Sequence, residues 1–138
     1  MASATTTARN QSRTLLLVAA LLNLVPPTAF ALPVVLQASP EQFSLVAATG
    51  SLAAALCTLY ALRMAALPRR IRMLLGGVAV LAAAFFIGGD AAVRAIPAEG
   101  IGPGLIPFMG MLLHLCAAAT LFTLGLVHPR SRTAARQH

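Results

Sequence analysis

The 138-residue chain is 59% hydrophobic and only 9% charged, and its mean hydropathy is +0.85. Because soluble domains carry about 25% charged residues, this composition excludes an ordinary water-soluble domain and indicates lipid as the solvent. The net charge is +7, but the arginines cluster at the ends of apolar runs rather than along one face. This pattern excludes nucleic acid and predicts a bilayer with anionic headgroups as the partner.

The composition also bears on the source of the chain. All ten basic residues are arginine, lysine is absent, and alanine is abundant. This usage is typical of a GC-rich bacterial genome. We therefore predict a multi-pass protein of the bacterial inner, or plasma, membrane.

The first apolar run covers residues 15–36 and follows a small, polar segment, residues 1–14, which we predict to be a cytoplasmic tail. About 20 apolar residues suffice to cross the hydrocarbon core, so the run is long enough to span. It contains Asn23 and the pair Pro26-Pro27. Since proline removes a backbone donor and clashes with the preceding turn, the pair predicts a kinked first helix.

A second interpretation of this N-terminal region stays open. Arg9 and Arg13 precede the apolar stretch, and Ala29-Phe30-Ala31 has the small-x-small pattern of a signal-peptidase site. These features are also typical of a secretory signal peptide. Residues 1–31 would then be cleaved from the mature protein, and the rest of the topology would be unchanged.

Three further apolar runs predict helices at about 43–62, 73–89 and 105–127. Residues 37–42 form the first external loop, and Ser39-Pro40-Glu41 predicts a helix start. Pro107 falls in the predicted first turn of the last helix, where no hydrogen bond would be lost. Small residues recur three or four positions apart in each run, which predicts close helix packing: Ala47, Gly50, Ser51, Ala54, Ala55, Gly76, Gly77, Ala79, Ala83, Ala84, Gly88, Gly110, Ala117, Ala118, Ala119 and Gly125.

The arginines predict the orientation of the bundle. Four of them lie between the second and third runs: Arg63, Arg69, Arg70 and Arg72. We interpret this stretch as a cytoplasmic turn that determines topology. Only Arg94 lies in a predicted external loop, so both termini, including the basic tail 129–138, should be cytoplasmic. The fold class is therefore an all-α integral membrane protein, with one four-helix transmembrane domain over residues 15–128.

His114 is the residue that most suggests chemistry, because it lies near the middle of the last predicted span. Ionisable groups at that depth are costly and often functional. The functional interpretations are haem ligation, a proton relay or contact with a polar ligand. The structural interpretation, which we favour, is a neutral imidazole hydrogen-bonded to Asn23, Thr49 or Ser51.

Other polar residues give weaker indications. Cys57 and Cys116 lie at similar predicted depths, so the functional interpretation is a redox pair; the structural interpretation is that they are apolar fillers, as buried thiols more often are. Asp90 and Arg94 are spaced for an ion pair on one helix face, at the outer mouth of the bundle. Asp90 would then gate or bind a cation there, or alternatively cap a short surface helix; residues 90–96 equally suit a last turn of the third helix.

No catalytic or metal-binding motif is present in the sequence. We therefore favour a non-catalytic accessory subunit, or a homo-oligomer packed through its small-residue edges, with a membrane-complex partner or further copies. A small transporter or channel is the first alternative. The four-span plan is similar to that of small multidrug-resistance transporters, although the first run lacks a membrane-embedded carboxylate. The second alternative is a redox or lipophilic-ligand protein that holds haem or quinone through His114, Cys116 and Asn23.

Overall fold

The computed structural model describes residues 2–36, 40–95 and 102–127, and every regular element in these ranges is helical. The elements are α1 (Ala2–Leu22), α2 (Val25–Leu36), α3 (Pro40–Met64), α4 (Arg69–Ala95) and α5 (Gly102–Val127). Four stretches are long and apolar enough to cross a membrane: Asn10–Leu32, Ser44–Met64, Arg69–Ala92 and Leu105–Val127. The prediction of an all-helical fold is therefore confirmed for the described residues, and the four stretches fit the predicted multi-pass membrane protein.

The first membrane-spanning stretch is divided between α1 and α2 at Asn23 and Leu24. The backbone N–H of Asn23 still donates to the carbonyl of Ala19 (3.1 Å), and the backbone N–H of Thr28 donates to the carbonyl of Leu24 (3.1 Å). Pro26 and Pro27 lie in the first turn of α2 and are both buried. Since neither proline has an N–H group, the interruption falls where backbone donors are missing.

Several helix ends differ from the predicted ones. The helix α1 begins at Ala2 and so includes residues 2–14 of the predicted cytoplasmic tail, where no proline or glycine interrupts it; the cytoplasmic position of this segment stays a prediction. The chain leaves the helix only over residues 65–68 between α3 and α4. The four arginines of the predicted turn therefore lie on helix ends, because arginine is a good helix former and only Pro68 breaks the run.

At the opposite end of the bundle, one open alternative is decided and one prediction is wrong. The helix α4 continues to Ala95, so the alternative of a last turn of the third helix is confirmed through Ala95, and Asp90 does not cap a separate surface helix. The helix α5 begins at Gly102, which places Pro107 inside the helix instead of in its first turn. Pro107 therefore lacks a hydrogen bond that a helical residue at this position would make. The predicted start of α3 at Pro40 is confirmed.

The helices form a ring in which each transmembrane segment packs on two neighbours. The α1–α2 segment contacts α3 and α5, and α4 contacts the same two helices from the other side. Between diagonal pairs of the described helices, α3 with α5 and α1–α2 with α4, the backbones do not approach closely. Only side chains can therefore join the diagonals, across the centre of the ring.

The interior has three layers along the bundle axis. The layer at the arginine-bearing end is apolar and includes Leu16, Ala61, Leu62 and Leu121. The layer at the other end is formed by Ala29, Ala47 and Phe86. Buried polar side chains lie between them: Asn23, Ser51, Thr58 and His114. This middle layer contains the site suggested by the sequence.

Candidate functional site: a buried polar cluster around His114

The cluster collects one or two polar residues from each of three transmembrane segments. Asn23 lies at the break between α1 and α2, Ser51 and Thr58 are on α3, and His114 is on α5. Each is at most 1% exposed. Ser51 and Thr58 are seven residues apart, which is about two helical turns, so both face the centre of the ring.

His114 is held at both ring nitrogens. Its Nε2 lies 2.7 Å from Ser51 Oγ, and its Nδ1 lies 2.8 Å from Asn23 Oδ1. The predicted partners Asn23 and Ser51 are therefore confirmed. Thr49 is not a partner, because its hydroxyl donates to the carbonyl of Leu45 in its own helix (2.7 Å).

The cluster also determines which nitrogen of His114 carries the proton. The amide nitrogen of Asn23 donates both of its hydrogens, one to the carbonyl of Ala19 (2.8 Å) and one to Thr58 Oγ1 (2.9 Å). The Asn23 Oδ1 atom can only accept, so Nδ1 of His114 must donate to it. In a neutral imidazole Nε2 is then an acceptor, and the Ser51 hydroxyl donates to it.

Aromatic rings close the cluster on the side of α4. Phe86 is 2% exposed, and its ring meets the ring of His114 edge-on at a centroid distance of 6.2 Å. Phe30 of α2 contacts the same Phe86 ring at 6.1 Å. The cluster thus joins α3 to α5 through Ser51 and His114, while the two phenylalanines join α2 to α4. Side chains cross both diagonals of the ring at this level.

The hydrogen bonds of the cluster are complete. In the described residues, no buried side-chain nitrogen or oxygen lacks a partner. A haem iron or a quinone could reach a ring nitrogen of His114 only by displacing Ser51 or Asn23. Within the same ranges, no group of three histidine, cysteine or acidic residues is placed to hold a metal ion.

The remaining candidate residues lie away from this cluster. Cys116 is exposed on the outside of α5, because two residues turn a helix by about 200° and so place it opposite His114. Cys57 is half-buried, and both cysteines are free thiols. Asp90 is half-buried, and its Oδ2 accepts a hydrogen bond from Ser44 Oγ (3.4 Å). The side chain of Arg94 lies outside the described part of the chain, so the predicted pair stays a prediction.

Two members of the site were not predicted from the sequence. Thr58 shares a helix face with Ser51, and this seven-residue spacing was the available signal. Phe86 is one of two adjacent phenylalanines on α4, and only Phe86 is buried. Nothing in the local sequence distinguishes it from Phe85, which is 41% exposed.

Comparisons with known proteins add no family to this description. A scan against protein-family models and searches of curated proteins and of solved structures find no match to this chain.

Proposed function

We propose that the chain is a small non-catalytic membrane protein that acts as an accessory subunit or as the unit of a homo-oligomer. On this proposal the interior of the bundle serves to fix the packing of its own helices. The functional surface is then the outside of the bundle, which contacts lipid and other membrane proteins.

The observation that carries this proposal is the closed set of hydrogen bonds around His114. A histidine that ligates a haem iron or contacts a bound quinone needs a free nitrogen directed at that ligand, and here both nitrogens of the fully buried ring contact protein side chains at 2.7 and 2.8 Å. Hydrogen bonds between membrane helices favour one register of packing over others. The same arrangement weighs against haem or quinone binding, and against a transport role that requires His114 to exchange protons with water.

Native mass spectrometry of the gently extracted full-length chain tests this proposal. We expect the 14.2-kDa chain to appear as a homo-oligomer, or in a fixed ratio with a second membrane protein. A monomer with no protein partner, at concentrations that match its membrane density, would contradict the proposal. The same spectrum separates the intact chain from one that begins at Leu32, and so decides between an uncleaved first helix and a signal peptide.

The proposed orientation places the arginine-bearing ends of α3 and α4, and both chain termini, in the cytoplasm of a bacterial cell. Support comes from Arg63, Arg69, Arg70 and Arg72, which lie at one end of the bundle, while Asp90 lies near the other end of α4. Reporter fusions at both termini test the orientation. Cytoplasmic reporter activity at both is expected, and activity on opposite sides would contradict it.

A further inference from the structure

An open groove of about 480 Å³ runs along the outer surface where α3 meets α4. Its lining is apolar except for one arginine at its end: Leu59, Arg72, Met73, Gly76, Gly77, Val80 and Leu81. The two glycines form its floor. A Cβ atom at Gly76 would lie 3.2 Å from Leu59 Cδ2, whereas one at Gly77 would meet nothing within 4 Å. The space above Gly77 is therefore open, because glycine places no side chain there.

The arginine-bearing end of this groove carries positive charge that no described side chain neutralises. Arg69, Arg70 and Arg72 are all exposed and occupy the first turn of α4. Positive side chains are unfavourable there, because a helix N-terminus already carries a partial positive charge. Asp90 is the one acid whose side chain is described, and it lies about 27 Å away along the same helix.

An anion at this position would complement both features of the helix end. The first N–H groups of a helix have no partner within the helix and point toward such a ligand. Arg72 adds a guanidinium, which matches phosphate in geometry and charge. From Arg72 to Leu81 the groove extends about 13 Å, close to the thickness of one hydrocarbon leaflet, about 15 Å.

We propose that this groove binds one anionic phospholipid. Its phosphate lies at Arg72 and the start of α4, and one acyl chain lies over Gly76 and Gly77 toward Leu81. The site depends on charge and groove shape alone, and so it is independent of the accessory function proposed above.

A second groove in the same bundle provides an internal comparison. It lies between α1 and α5, has a volume of about 440 Å³, and is lined by apolar residues alone: Ala20, Leu21, Leu24, Leu115, Ala118, Ala119 and Phe122. Acyl chains fit both grooves, but only the groove at Arg72 offers a headgroup contact. Discrimination between headgroups should therefore depend on the α3–α4 groove.

The test is native mass spectrometry of the full chain released from nanodiscs that contain phosphatidylglycerol and phosphatidylcholine in equal amounts, with identical acyl chains. We expect one retained phosphatidylglycerol, enriched at least fivefold over phosphatidylcholine. Arg72→Gln should bring the ratio close to one. Arg70→Gln is the matched control: it removes the same charge from a residue that does not line the groove, and it should retain at least half of the enrichment.

A second pair of variants tests the groove itself. Gly77→Leu places a side chain on the floor, where its Cβ atom meets nothing within 4 Å, and should reduce retained phosphatidylglycerol at least threefold. In Gly88→Leu the Cβ atom also meets nothing within 4 Å, but Gly88 lies outside the groove, so this variant should have no effect. Equal retention of the two lipids by the unmodified chain would overturn the proposal. Equal losses of phosphatidylglycerol from both glycine variants would also overturn it. So would a spectrum in which the unmodified chain retains a second copy of itself in place of lipid, and Gly77→Leu removes that copy. Circular dichroism confirms that each variant is folded.

Discussion

Two regions of the bundle hold helices together by different physical means. Around His114, the α1–α2 segment, α3 and α5 are joined by side-chain hydrogen bonds. Along the α4–α5 seam, glycines bring one backbone directly against another. A Cβ atom at Gly110 would lie 2.7 Å from the amide nitrogen of Phe86, and one at Gly89 would lie 2.5 Å from the nitrogen of Pro107.

The difference follows from how helices associate in lipid. Lipid tails are as apolar as leucine, so burial of apolar side chains gives little net attraction between helices. Close packing and hydrogen bonds remain as the sources of stability. Among the described residues, glycine contacts with the backbone of another helix lie in the seam, whereas the side-chain hydrogen bonds that join the α1–α2 segment, α3 and α5 lie around His114. Only glycine fits opposite Pro107, because a Cβ atom at Gly89 would lie 2.5 Å from the Pro107 nitrogen and 2.6 Å from the ring Cδ that this nitrogen carries in place of a hydrogen.

The two regions should therefore respond differently to substitution. The seam is sensitive to added volume, because its glycines lie directly against the backbone of the other helix. The cluster is sensitive to loss of a donor or an acceptor, because removal of any one member leaves a buried partner without its hydrogen bond.

The largest effect is expected from Gly89→Leu. Its side chain would collide with the backbone of α5, which cannot move as a flexible side chain can, so we expect a loss of more than about 3 kcal/mol in unfolding free energy. Denaturation by sodium dodecyl sulfate, monitored by circular dichroism, measures this loss of unfolding free energy. The adjacent Gly88→Leu is the control and should remain near the unmodified stability, since nothing lies within 4 Å of its Cβ atom. Equal losses from both variants would show that the seam is not closely packed.

His114→Ala should have the next largest effect. It removes two hydrogen bonds, leaves Asn23 Oδ1 and the Ser51 hydroxyl unpaired, and creates a cavity, so we expect a loss of about 2–3 kcal/mol. His114→Asn is the informative companion, because its amide nitrogen can take the place of Nδ1 and donate to Asn23. It should recover about half of the loss. Denaturation in the same detergent tests both, and no recovery with Asn would contradict the deduced donor role of Nδ1.

Ser51→Ala and Thr58→Val should each cost less. Each removes one partner from the cluster, and hydrogen bonds between membrane helices are worth about 0.6 kcal/mol on average. We expect a loss of about 1 kcal/mol or less for either variant, in the same denaturation assay. Thr49→Val is the control: its hydroxyl bonds to its own helix, so it should change stability still less. A Thr49 effect equal to that of Ser51 would show that the cluster is not specific.

The sequence predicts the helices and part of the cluster, but not how the small residues divide between inside and outside. His114, Asn23 and Ser51 could be connected because few polar residues lie at that depth. Gly88 and Gly89 are adjacent and chemically identical, yet only Gly89 contacts another helix. In water, hydropathy would distinguish the two faces of α4, but a helix in lipid is apolar on all sides. The function could not be predicted to the level of a partner, because the sequence contains no motif that specifies one.

The smallest expected effect is a coupling between the two regions through Phe86. Its backbone contacts Gly110 in the seam, and its ring contacts His114 in the cluster. Neighbouring sites that share a partner couple by about 0.5 kcal/mol or more, whereas distant sites are additive. A double-mutant cycle of Gly110→Ala with His114→Asn should therefore show coupling of that size. Gly125→Ala with His114→Asn should be additive, because Gly125 packs against Leu17 and lies about 16 Å from His114 along α5. Additivity in both cycles would mean that the seam and the cluster stabilise the bundle independently. Phe86 would then contact both regions without coupling their contributions to the unfolding free energy.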